Sequence, residues 1–148
     1  MKIGIIGLGD MGKLYALKFA KEGFEVVGCD LPNRQESLQI EFDPYGIEVL
    51  KDGTEVSSRA DFIFYAVEAE KISEVVAACA LYTKKNAIVT GMTSVKTPEV
   101  AAFEKYLPKH TQLILTHSLH GPGFDTKGQK LIVAPHRITK EYYNKALS

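Results

Sequence analysis

The chain of 148 residues is about one domain long, and at that size a fold buries roughly 70% of the surface its unfolded chain exposes, so one sizeable core can form. Hydrophobic residues make up 45% and charged ones 24%, which excludes the highly charged, weakly hydrophobic composition of a disordered chain. The 18 Lys and Arg balance the 18 Asp and Glu, so no basic excess is available for nucleic acid or an anionic membrane, and neither is expected as a partner.

The first strand-like run, residues 2–6, leaves no room ahead of it for a secretion signal, and no apolar run approaches the ~20 residues that span a bilayer. Further strand-like runs fall at residues 25–30, 62–67, 87–90, 112–116 and 130–134, with a weaker one at 47–50. Helical character lies between them, at 11–22, near Gln35, at 56–58, 71–81 and 98–106. The first helix is the clearest: Met11, Leu14, Tyr15, Leu17 and Phe19 form an apolar face, and Gly23 follows as a stop. Pro98 suits a first helical turn with Thr97 as its cap. Residues 138–148 read as the opening of another helix, capped by Thr139, with no terminating signal, which predicts a boundary inside a longer protein. Cys29 and Cys79 are the only cysteines and show no metal-binding or redox spacing, so no metal site is expected and both read as buried, reduced thiols of a cytoplasmic protein.

This alternation predicts an α/β fold in which a doubly wound, mostly parallel sheet carries helices on both faces. Residues 4–12, GIIGLGDMG, set a GxGxxG directly between the first strand and the first helix. Gly7 permits the tight turn, Gly9 lets backbone approach a pyrophosphate, and Gly12 lets helix and strand pack closely. The anion would rest on the free amides and positive end of the helix, among Gly7, Leu8, Gly9, Asp10, Met11 and Gly12. Asp30 ends the second strand 18 residues beyond Gly12, where an acid accepts the adenosine ribose hydroxyls of a Rossmann-bound dinucleotide. Val67, at the end of the 62–67 run, is expected to face the same cofactor. A carboxylate at 30 favours NAD, because it repels a 2′-phosphate; Arg34, four residues on, can instead pair with that phosphate while Asp30 turns aside, or can be a solvated loop arginine.

Two polar segments follow at the carboxyl ends of later strands, the edge where open α/β sheets bind ligands: residues 91–96, GMTSVK, and 116–122, THSLHGP. His117 is the best general base available there, or a histidine whose ring holds the turn. Ser94 either orients a substrate group or caps the backbone. His110, His120 and His136 read as solvated or structural, and no GxSxG elbow accompanies the serine.

The segments GLGDMG (7–12), TSVKTPE (93–99) and HSLHGP (117–122), followed by Gly128 and Gln129, resemble the nucleotide-binding domain of prephenate dehydrogenases, and of their fungal branch in particular. Related enzymes usually carry His-Pro-Met where this chain has His117, Ser118 and Leu119, a departure that matches the fungal pattern. The resemblance implies oxidative decarboxylation of prephenate to 4-hydroxyphenylpyruvate in tyrosine biosynthesis, with His117 as the catalytic histidine and Ser94 as its active-site partner. It also implies NADP as cofactor, with NAD as the alternative that Asp30 favours. Residues 1–148 would then be a dinucleotide-binding domain, and a C-terminal helical domain outside this chain would supply substrate contacts and a homodimer interface. The rival readings are an arogenate or β-hydroxyacid dehydrogenase, or a non-catalytic NAD(P)-binding regulatory module.

Overall fold

The computed structural model describes residues 1–93, 95–118 and 131–147, at the backbone alone for 117, 118, 131 and 132. Strands β1 (Lys2–Ile6), β2 (Glu25–Cys29), β3 (Glu48–Val49), β4 (Phe62–Tyr65), β5 (Ile88–Gly91), β6 (Gln112–Ser118) and β7 (Leu131–Arg137) form one sheet in the order β3-β2-β1-β4-β5-β6-β7. Every neighbouring pair is parallel except β6 with β7. The order reverses between β1 and β4, the topological switch point where such sheets open a ligand crevice. The doubly wound, Rossmann-like expectation holds.

Helices α1 (Asp10–Lys21), α2 (Gln35–Phe42), α3 (Gly53–Arg59), α4 (Ile72–Cys79), α5 (Lys96–Tyr106) and α6 (Lys140–Leu147) cover the sheet. Both faces of the strands are buried, so side chains of opposite parity enter separate cores. Ile3 and Ile5 of β1 and Phe62 and Phe64 of β4 join Ala16, Leu38 and Phe42 on one face. Ile6, Ile63 and Tyr65 join Val56, Val76 and Phe103 on the other.

The end of α1 follows from two consecutive residues. Gly23, at φ +92°, donates its amide to the carbonyl of Ala20, and Phe24 donates to that of Phe19. The two phenyl rings meet edge to face at 5.8 Å, the apolar contact that accompanies this cap. Gly23 is therefore the stop its position predicts.

Elsewhere the local reading needs correction. The α5 helix begins at Lys96 with Val95 as its N-cap, so Thr97 is not the cap and Pro98 lies inside the first turn. Pro98 is tolerated there because amides of a first turn have no helical acceptor to lose. The helix expected at 56–58 extends over Gly53–Arg59 because Asp52 caps it, its carboxylate accepting from the amides of Thr54 and Glu55. At α6, Thr139 does cap, accepting the Tyr142 amide on its hydroxyl at 3.4 Å. Among the described residues, no helix is long and apolar enough to cross a membrane.

Candidate functional site

The parallel ladder continues one residue past the strands: Gly7 donates to Cys29, Ala66 to Ile6 and Met92 to Tyr65. These bonds set the loops after β1, β4 and β5 side by side at the carboxyl edge. Between them lies a crevice with two lobes that share Gly9, Ala66, Val67 and Glu68 as walls. One lobe, of about 410 Å³, runs under Gly7 to Asp30, Leu31, Pro32 and Asp52; the other, of about 540 Å³, runs past Asp10 and Met11 to Met92, Thr93 and Val95. The structure thus gathers Gly7, Gly9, Asp10, Met11, Asp30 and Val67 around one cleft.

The glycines differ in why they are glycine. Gly7 has φ +102°, and a Cβ there would strike the Ala66 carbonyl; a Cβ on Gly12 would strike the carbonyl of Gly7. Those two are required by the turn and by the approach of α1 to its strand. Gly9 differs: its φ is −75°, and among the described residues a Cβ built on it meets nothing within 4 Å. The described residues therefore leave this position free to carry a side chain. Gly9 is also the N-cap of α1 and offers no side-chain acceptor to the first-turn amides, so those amides and the positive end of the helix face the cleft uncapped.

Leu8, expected among the cofactor contacts, is fully buried, with its side chain packed against Gly28. Its amide donates to Asp30 Oδ2 at 2.7 Å. Asp30 also accepts the Leu31 amide at 2.7 Å on Oδ1 and the Arg34 guanidinium at 3.0 Å on Oδ2. The carboxylate is thus drawn toward the glycine loop and Arg34, which lies beside the Asp30 lobe. Arg34 is partly exposed and ion-paired with Asp30.

Asp52 stands in the same lobe, and its bonds from the Thr54 hydroxyl and the Glu55 amide hold its carboxyl below the ordinary range. Cys29 and Cys79 close the floor as free thiols. Burial pushes Cys29 up to about 12 and Cys79 up to about 11, so both stay protonated at neutral pH.

At the other lobe, the β5–α5 turn is held by a buried charge that sequence reasoning missed. Glu99, in the first turn of α5, is fully buried. Its Oε1 accepts from the Thr93 amide at 3.2 Å and the Thr93 hydroxyl at 2.7 Å, and its Oε2 accepts from Lys96 Nζ at 3.0 Å. Lys96 also donates to the carbonyl of Gly91 at 3.0 Å, and Thr116 Oγ1 donates to that same carbonyl at 3.1 Å. The signal was present as Lys96 and Glu99 three residues apart, within the TSVKTPE segment.

His117 follows Thr116 in β6 and is paired in register with Ile132 of β7; its side chain lies outside the described residues. Ser94 and residues 119–130, including His120, also lie outside them. His110 is exposed, and His136 pairs at 2.8 Å with Glu104, both away from the cleft.

Residues 2–94 match the family described as "NADP oxidoreductase coenzyme F420-dependent". Over 142 residues the chain is 49% identical to the Schizosaccharomyces pombe protein named "Probable prephenate dehydrogenase [NADP(+)]", covering 96% of this chain and 33% of that one. It is 48% identical over 135 residues to the "Prephenate dehydrogenase [NADP(+)]" of Saccharomyces cerevisiae, covering 91% and 30%. The chain therefore spans about a third of the length of these curated relatives. Among solved structures, prephenate dehydrogenase from A. aeolicus in complex with hydroxyphenyl propionate and NAD+ superposes with a TM-score of 0.77 at 23% identity, over 99% of this chain and 55% of that one. The N-terminal domain of HmdIII from Methanocaldococcus jannaschii gives 0.79 at 20% identity, over 98% and 91%, a likeness of fold.

Proposed function

The chain belongs to the family described as NADP oxidoreductase coenzyme F420-dependent, and from that premise we propose that it is the NADP-binding portion of a prephenate dehydrogenase. The observation that carries the cofactor reading is Gly9, a glycine at the mouth of the cleft that neither backbone strain nor any neighbouring atom of the described residues requires. A pyrophosphate lying against the first-turn amides of α1 supplies the missing reason. Arg34 would meet the 2′-phosphate, while Asp30 braces the glycine loop through the Leu8 amide. The curated relatives at 48% and 49% identity support the substrate assignment, both being named for prephenate and NADP(+).

In this reading the nicotinamide supplies a hydride acceptor at the Met92 and Thr93 lobe. His117, at the end of β6, takes the proton from the ring hydroxyl as the carbonyl forms. Loss of carbon dioxide then leaves its electron pair in the ring, which becomes aromatic, and His117 returns the proton to the phenolate oxygen. Ser94 orients the histidine or the hydroxyl, and the fold mainly contributes position, since aromatisation supplies the driving force.

The whole enzyme would contain a helical domain after residue 148 that binds the substrate carboxylates and joins two copies. It would act in the cytoplasm, in the route to tyrosine, which the free thiols of Cys29 and Cys79 suit. The test is formation of NADPH or NADH by the full-length protein with prephenate and with arogenate, each offered NADP and NAD. Prephenate with NADP is expected to be the fastest pair. A higher kcat/KM for arogenate would move the assignment to an arogenate dehydrogenase. No turnover of either, with NADP bound, would leave a regulatory nucleotide-binding module.

A further inference from the structure

We propose that Lys96 and Glu99 are positioning residues for the reaction, tying the carboxyl ends of β5 and β6 into one rigid unit; the proposal rests on the prephenate dehydrogenase reading of His117. A carboxylate with no exposed surface is costly to bury unless hydrogen bonds and a countercharge compensate it. Here three hydrogen bonds do so, two from Thr93 and one from the charged Lys96, both at the turn that Glu99 itself anchors. The anchoring is tight: a Cβ on Gly91 would overlap the Glu99 carboxylate, so the strand end admits the acid only because residue 91 is glycine.

From there the network crosses to the next strand. The Gly91 carbonyl is shared by Lys96 Nζ and Thr116 Oγ1, and Thr116 accepts in turn from Thr90 across 3.1 Å, both threonines being buried. Thr116 immediately precedes His117, and Thr93 lines the lobe opposite Met11. A shift of the Lys96 and Glu99 pair would therefore move the wall of that lobe and the strand that carries the proposed base together. The phosphate loop takes no part in these bonds. The pair should accordingly govern turnover far more than cofactor affinity, to which Thr93 contributes only one wall of the nicotinamide lobe.

The experiment compares full-length wild type, Lys96→Arg, and the double variant Lys96→Met with Glu99→Leu, which removes both charges and so leaves neither one buried alone. Melting temperature, NADPH affinity by fluorescence titration, and kcat with its pH profile are read for each. The double variant is expected to stay folded, to bind NADPH within threefold of wild type, and to lose about 100-fold in kcat, the loss that an ångström of misplacement can produce. Lys96→Arg should keep most of the turnover, and the pH at which the base titrates should shift in the double variant alone. A folded double variant with wild-type kcat and pH profile overturns the positioning role, as does a uniform loss of NADPH affinity and kcat. A double variant that does not fold, joined to a Lys96→Arg protein with unaltered stability but with kcat lost, also overturns it. A wild type with no prephenate turnover overturns the functional reading instead, and this proposal with it.

Discussion

Arg34 donates to the Asp30 carboxylate across 3.0 Å, four residues on and at the edge of the cleft that the phosphate loop opens. In the proposed reading the pair would reconcile an acid suited to a free ribose with relatives named for NADP(+). Asp30 keeps its negative charge compensated by Arg34 and spends lone pairs on the Leu8 and Leu31 amides. Arg34 is partly exposed, and a guanidinium carries further N–H donors besides the one bonded to Asp30. Arg34→Ala is therefore expected to weaken NADPH binding by about 10- to 100-fold, the value of one or two hydrogen bonds to a charged group, with NADH binding little changed. Titration of both nucleotides against both proteins checks this, and an unaltered preference would remove Arg34 from the phosphate site.

Asp30→Asn should act differently, because its main partner is the loop itself. The Leu8 amide keeps an acceptor only if the amide oxygen takes the place of Oδ2, and Arg34 loses its countercharge. Stability is expected to fall by about 1 kcal/mol, measured by urea denaturation, with affinity for both nucleotides reduced together.

Gly12→Ala is a stability experiment. Its new methyl would meet the Gly7 carbonyl, and the helix must move off the strand to admit it, at a cost of about 1–3 kcal/mol. Unchanged thermal stability would mean that α1 packs less closely than the structure has it.

The buried thiols make stability depend on alkaline pH. Cys29 and Cys79 have an ordinary value of 9.0 when exposed and are raised to about 12 and about 11 by burial. A raised folded value means that the unfolded chain loses protons first. Stability from these groups is thus complete below pH 9 and is lost as pH rises from 9 toward 12. Tyr65, also pushed up by burial, adds to the fall above its ordinary 10. Urea midpoints measured from pH 8 to 11 should decline, and the decline should flatten in Cys29→Ala with Cys79→Ala once each protein is normalised at pH 8.

The parts of this molecule that were legible in sequence are those whose cause is local. The alternation of Ile3, Ile5 and Ile6 with glycine marks a strand buried on both faces, and Gly23 with Phe24 marks where α1 must stop. The glycine loop is legible for the same reason: its turn, helix and strand are contiguous. What escaped was set by distant partners. The burial of Glu99 has no local cause, since it depends on Gly91 and Thr93 folded over it, and α5 starts at Lys96, two residues ahead of Pro98. The antiparallel pairing of β7 with β6 is likewise invisible locally, since strand direction depends on a connection rather than on the residues of the strand.

The central claim is that Gly9 is a glycine for the sake of a bound pyrophosphate, and NADPH titration of Gly9→Ala beside wild type tests it most directly. A methyl at position 9 meets no atom of the described residues, so the melting temperature should stay within about 4 °C, the loss of a glycine N-cap included. NADPH affinity is expected to fall at least about tenfold, since that methyl would enter the space between the α1 amides and the phosphates. Unchanged affinity in a variant that melts with the wild type would contradict the account.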